Sequence, residues 1–113
     1  MPLLKKKCIP CEGGAKPLNR EEISEFQKEL KSHWSVIEER KIQKEFVFDD
    51  FKKAIAFVND IADCAEREGH HPDIYIMYNK VVIDLWTHAI EGLSENDFIL
   101  AAKIESLHMT RGK

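Results

Sequence analysis

The stretch D-I-Y-I-M-Y-N-K-V-V-I-D-L-W-T-H, residues 73–88, decides the fold. Ile74, Ile76 and Tyr78 recur at period two, and so do Val81, Ile83 and Leu85. Period two belongs to a strand with one buried face. Asn79-Lys80 lies between the two runs, and asparagine tolerates positive φ, so a two-residue turn there makes a hairpin. In that register Tyr78 faces Val81, Ile76 faces Ile83 and Ile74 faces Leu85, with Tyr78 in the core. The other face sets Asp73, Tyr75 and Met77 opposite Trp86, Asp84 and Val82. A slip of one residue would turn the apolar set outward, so the facing is well determined. Two residues further along, His71 falls opposite His88, on the face of Asp73 and Trp86. His70 sits in the adjacent corner. Three histidines are therefore expected to converge at the open end of one hairpin.

Working outward, the segment before the hairpin reads as a helix. Asp49 or Asp50 caps it, and Phe51, Ala54, Ile55, Val58, Ile61, Ala62 and Ala65 form an apolar stripe. Gly69 ends it, as a residue able to turn left-handed. Upstream, Trp34 and Val36 alternate with polar neighbours, and residues 38–41 form a polar break. Ile42, Phe46 and Phe48 then share a face, with Lys44 the exception, which predicts two strands. Asn19 with Glu22 resembles a capping box before Ile23, Phe26 and Leu30. After His88, Ser94 with Asp97 is a second helix-start pattern. The final helix runs to about Met109 with Leu100, Ala101, Ile104 and Leu107 inward. The order α-β-β-α-β-β-α predicts an α+β domain: a four-stranded antiparallel sheet with three helices on its apolar face. Residues 1–18 hold three of the four prolines and Gly13-Gly14, and read as an irregular arm before a single domain at 19–113.

Composition narrows the function classes. The 113 residues carry a formal net charge of -3, which argues against a large nucleic-acid-binding face. Lys5, Lys6 and Lys7 read as a solvated tail. No apolar run approaches the ~20 residues of a membrane span, and no apolar segment follows the lysines as in a secretory signal. Three cysteines, Cys8, Cys11 and Cys64, are an odd, low count that suits a reducing compartment, so a cytoplasmic location is expected. Cys8 and Cys11 form a lone CxxC, readable as half of a shared metal site, a redox pair or two free thiols. The last is the favoured reading.

Three histidines in one place either bind a metal or move protons. Neighbouring histidines in a loop are commonly solvent-facing polar residues, but His88 comes from a separate strand. Imidazole titrates near neutral pH, so a pair suffices for acid and base. Pro72 biases His71 towards extended backbone, where His70 and His71 point to opposite faces and fit one metal ion poorly. Proton chemistry is the favoured reading, and no metal is expected.

The same residues carry a resemblance. Glu66, three residues, His70-His71-Pro72, five residues, Tyr78, nine residues, His88, eight residues, Asp97: this resembles the signature of the pterin-4a-carbinolamine dehydratases. Tyr78-Asn79-Lys80-Val81, Thr87-His88 and Gly92-Leu93-Ser94 match too, and the Cys8 to Gly14 segment looks like the arm of some bacterial and plastid members. The resemblance implies dehydration of 4a-hydroxytetrahydropterins to quinonoid dihydropterins, recycling the cofactor of aromatic amino acid hydroxylases without any cofactor of its own. It implies His70, His71 and His88 as the catalytic set. His70 and His88 would be acid and base, and His71 would chiefly orient the pterin. Pro72, Trp86 and Thr87 would line the substrate, and Glu66 and Asp97 would support. Glu66 also reads as a surface glutamate, Asp97 as a helix-start residue. Trp86 departs from the smaller residue of many relatives, and Ala89 from the acid of some. The resemblance further implies a homodimer or homotetramer, with a pterin as the ligand and neither nucleic acid nor membrane as partner. The competing readings are a non-catalytic partner-binding or assembly protein on the same fold, and a small metal-binding protein.

Overall fold

A computed structural model describes residues 3–9 and 16–111. The helices are α1 (Arg20–Gln27), α2 (Phe51–Glu68) and α3 (Glu95–Arg111). The strands are β1 (Ser35–Ile37), β2 (Lys41–Val47), β3 (Asp73–Met77) and β4 (Lys80–Leu85). Single 3-10 turns occur at Leu3–Lys5 and His88–Ile90. The sheet runs β1-β2-β4-β3 with every neighbour antiparallel, so the α+β order expected from the sequence is the one observed.

Local chemistry accounts for the helix ends. Asn19 and Glu22 form the full capping box, each side chain accepting from the other's backbone N–H. Of the two candidate aspartates, Asp50 caps α2 by accepting from the Lys53 N–H. Gly69 closes α2 at φ 67°, where a Cβ would be strained. No helix among the described residues is long and apolar enough to cross a membrane.

The core joins Ile42 and Phe46 of β2 and Val81, Ile83 and Leu85 of β4 to both long helices. On α2 the buried set is Ala54, Phe57, Ile61, Cys64 and Ala65, whereas Phe51 is 50% exposed and Ala62 is exposed. The expected stripe was rotated. Apolar residues cover so much of α2 that two overlapping stripes exist, and the sheet takes the one containing Phe57. That ring packs 4.9 Å from Phe46 and 5.1 Å from Phe48. Along α3, Asn96, Asp97, Phe98, Ile99 and Glu105 are buried as well as Leu100, Ala101 and Ile104. This helix is covered by α1, α2 and the N-terminal 3-10 turn together, so one stripe understates it.

The hairpin departs from the expected register by two residues. Met77 pairs with Lys80, Ile76 with Val81, Ile74 with Ile83 and Asp73 with Asp84. The bend is Tyr78-Asn79, with Tyr78 at φ 56°. The reason lies in β2. The Asn79 carbonyl accepts from the Phe48 N–H at 2.8 Å, and the Asn79 amide donates to the Phe48 carbonyl at 2.9 Å. Asn79 is fastened to the end of the neighbouring strand, and Tyr78 takes the left-handed position. Tyr78 is therefore 68% exposed rather than part of the core. A two-residue shift preserves facing, so the Ile74 and Ile76 face still meets the Val81, Ile83 and Leu85 face.

Within the described residues of the arm, Leu3 enters the core and Lys6 pairs with Glu95. The Cys8 N–H donates to Glu68 at 2.9 Å, and the Ile9 N–H to the Asn96 side chain at 3.0 Å. This stretch is docked on α2 and α3 through Leu3, Lys6 and Cys8, while Lys5 and Lys7 stay exposed. Pro17 packs against Gly92, where a Cβ would come within 2.7 Å of the proline ring.

Candidate active site

Two chain reversals build the site. Gly69 ends α2, and residues 70–72 lead into β3. On the neighbouring strand, pairing stops at Leu85. The Thr87 N–H donates to the Gly92 carbonyl at 2.8 Å, and His88 begins a 3-10 turn. Strand pairing thus does not reach His71 and His88. Even so, Gly69, His70, His71, Pro72, Asp73, Trp86, Thr87, His88 and Ala89 surround one open cleft of about 480 Å³. All three histidines border it.

Each histidine has a different setting. His70 is 12% exposed, and its Nε2 lies 2.6 Å from Oδ1 of Asp97, which is 0% exposed. The other oxygen of Asp97 accepts from the Thr87 hydroxyl at 2.8 Å and from the Ser94 N–H at 3.0 Å. Thr87 has only one hydroxyl hydrogen, so Ser94 Oγ, 2.7 Å away, is the donor to Thr87. An ionised carboxylate only accepts, so His70 donates from Nε2, and in the neutral imidazole Nδ1 carries the lone pair. Asp97 is therefore both a helix-start residue, as its spacing from Ser94 suggests, and the partner of His70.

His71 points the other way. Its Nε2 is 2.7 Å from Oε2 of Glu66, and both side chains are exposed. Such a pair orients a ring but adds little stability. His88 is exposed and stacks on Trp86 with ring centroids 3.9 Å apart and an interplanar angle of 25°. The Trp86 indole N–H donates to Asp73 Oδ2 at 3.0 Å. Thr87 is buried, and its hydroxyl and backbone groups are engaged with Asp97, Ser94 and Gly92. It shapes the cleft wall by holding Asp97.

The sequence reading missed Asp73 and Ser94 as site residues. The signal for Asp73 was present, because its position on the face of Trp86 followed from the period-two pattern. Cys8 lies behind the site, donating from sulfur to the Asn96 carbonyl at 3.6 Å. Burial, with Glu68 and Asp97 nearby, pushes its thiol up to about 12, so it stays protonated and unreactive at neutral pH. Burial likewise pushes the Cys64 thiol up. Cys11, the other half of the CxxC, lies outside the described residues.

Comparison with known proteins fits this geometry. The family model described as pterin 4 alpha carbinolamine dehydratase matches residues 16–107. The chain belongs to the pterin-4a-carbinolamine dehydratase family. A Rickettsia bellii (strain OSU 85-389) protein bearing that family's name is 50% identical over 102 residues, 90% of each chain. A Brucella melitensis crystal structure described as a transcriptional coactivator/pterin dehydratase superposes with a TM-score of 0.75 at 32% identity. It covers 81% of this chain and 98% of its own. A pterin dehydratase-like protein identified as a RuBisCO assembly factor in the alpha-carboxysome gives 0.59 at 25% identity, covering 68% and 90%. Membership places the chain among carbon–oxygen lyases. Of the residues that carry the resemblance, His70, His71, Pro72 and His88 line the cleft, Asp97 and Glu66 are the hydrogen-bond partners of His70 and His71, and Tyr78 lies in the hairpin bend.

Proposed function

We propose that this dehydratase eliminates water from 4a-hydroxytetrahydropterins to give quinonoid dihydropterins, with His70 and His88 as the proton-transfer pair. One observation carries the assignment: the buried Asp97 carboxylate accepts a hydrogen bond from Nε2–H of His70. That bond leaves Nδ1 as the acceptor, a fixed tautomer suited to a base. His70 removes the proton on N5 of the substrate, and the electron pair forms the C4a–N5 double bond. The 4a-hydroxyl departs as water on receiving a proton from His88. His88 is exposed and has no carboxylate partner among the described residues, so it exchanges protons freely with solvent. His71, held by Glu66 at the rim, orients the flat heterocycle. The product would feed back to the cofactor pool of aromatic amino acid hydroxylases, in the cytoplasm.

The test is stopped-flow absorbance of a freshly formed 4a-hydroxytetrahydropterin. The expected outcome is loss of the hydroxy adduct faster than in buffer at micromolar protein. Decay at the buffer rate would overturn the enzymatic reading in favour of a partner-binding or assembly role, which the RuBisCO assembly-factor neighbour illustrates on this fold.

Assembly into a homodimer or homotetramer belongs to the same proposal. β3 is an edge strand with Tyr75, Ile76 and Met77 exposed, and the adjoining Tyr78 is exposed too. An apolar unpaired edge invites a second strand. Light scattering at micromolar concentration is expected to give at least twice the chain mass, and a monomer throughout would count against it.

A further inference from the structure

We propose that Asp73 is a positioning residue for the dehydration, acting on His88 through Trp86. The inference rests on His88 having the role given above. Asp73 opens β3 directly across from Asp84. Two carboxylates face to face would repel, but Asp84 is buried and held by Lys41 Nζ at 3.2 Å and Gln43 Nε2 at 2.8 Å. The Asp73 carboxylate is thereby left to accept the Trp86 indole N–H at 3.0 Å. Trp86 sits just past the last paired residue of β4, where the ladder no longer fixes the chain. Its ring plane is set by that hydrogen bond. The indole in turn carries the His88 imidazole at 3.9 Å and 25°.

His88 needs such a support. It lies in a 3-10 turn, it is exposed, and no described hydrogen bond holds its ring. The groups around the cleft do not supply one. His70 is committed to Asp97 and His71 to Glu66. The indole face is therefore what restricts the imidazole, and Asp73 makes the one described hydrogen bond to the indole, whose other side borders Ile37 and Lys41. A proton donor must be held within a narrow range of the departing oxygen, and a misplacement near 1 Å costs up to about 100-fold. A partly loosened ring costs less, of the order of tenfold.

Asp73→Ala removes the acceptor, Asp73→Asn keeps one, and Trp86→Phe keeps an aromatic face but has no N–H. The first readout is made without substrate. His88 ring protons stacked on an indole should resonate upfield in the NMR spectrum of the wild-type protein. That upfield shift is expected to be lost in Asp73→Ala and largely kept in Asp73→Asn. The second readout is kinetic: kcat for a 4a-hydroxytetrahydropterin is expected to fall about tenfold in Asp73→Ala, with KM changed less than about twofold. Asp73→Asn should recover most of the rate. Because the residues act as one chain, Asp73→Ala with Trp86→Phe should cost no more than either alone. The proposal is overturned if Asp73→Ala keeps both the His88 shift and the wild-type kcat. It is also overturned if Asp73→Asn is as impaired as Asp73→Ala, which would make charge rather than positioning the cause. Should Asp73→Ala not fold, Trp86→Phe carries the same two readouts. A wild-type protein without dehydratase activity but with the shifted His88 signals would overturn the catalytic assignment and leave the Asp73–Trp86–His88 contact standing.

Discussion

His70→Gln lowers the dehydration rate by at least about 100-fold, the scale of a lost acid/base group. Glutamine is the informative replacement. Its amide nitrogen reaches the region of the imidazole Nε2 and keeps a donor to Asp97, so the buried carboxylate stays paired. What disappears is Nδ1. The melting temperature should stay within about 4 °C of wild type, because less than about 1 kcal/mol of stability is involved. Asp97→Asn reaches the same end by another path. Thr87 and Ser94 both donate towards one oxygen of Asp97, so an asparagine keeps its carbonyl there and turns its amide to His70. His70 must then accept at Nε2 and carry its proton on Nδ1, where a base is needed. His88→Ala, at the opposite side of the cleft, is expected to lose a similar factor. Turnover near the wild-type rate in both His70→Gln and His88→Ala would end the proton-transfer assignment.

Glu105→Ala destabilises the fold by about 3 kcal/mol. Glu105 is 5% exposed in α3, and its carboxylate gathers four donors. These are the Lys31 N–H at 3.0 Å, the Ser32 N–H at 2.9 Å, the Ser32 hydroxyl, and the Trp34 indole N–H at 3.0 Å. It therefore ties the segment between α1 and β1 to α3. Alanine leaves those donors without a partner, and each buried orphan costs about 1–3 kcal/mol. A cavity of about 450 Å³ bordered by Glu105 admits water, which holds the total towards the lower end. Glu105→Gln keeps one acceptor oxygen and is expected to lose less than the alanine variant. Denaturant midpoints, read through Trp34 fluorescence, measure both. An alanine variant within about 1 kcal/mol of wild type would show that the network is not holding the fold.

The site histidines show how far residue patterns carry. His70-His71-Pro72 and His88 were recognisable as one site because period-two facing put them at the same end of a hairpin, and they do share a cleft. The exact pairing was not recognisable, because an apolar face tells odd from even positions and nothing more. Asn79 was read as the turn residue from its backbone tolerance. Its hydrogen bonds to Phe48, a residue 31 positions away, fixed the bend one residue earlier. Asp97 illustrates the same limit. Its spacing from Ser94 announced a helix start, yet its partnership with His70 across 27 positions depends on where α3 packs.

By itself, the sequence determined the order of elements, the caps at Asn19 and Gly69, the buried face of β4 and the family signature. These are local: each depends on backbone geometry and spacing within a few residues. Tertiary packing alone decided the strand register, the burial of Phe57 and Glu105, the docking of the arm on α3, and the carboxylate behind His70. Those depend on which surfaces meet. Patterns that satisfy several placements equally are resolved only when buried polar groups must all find partners at once.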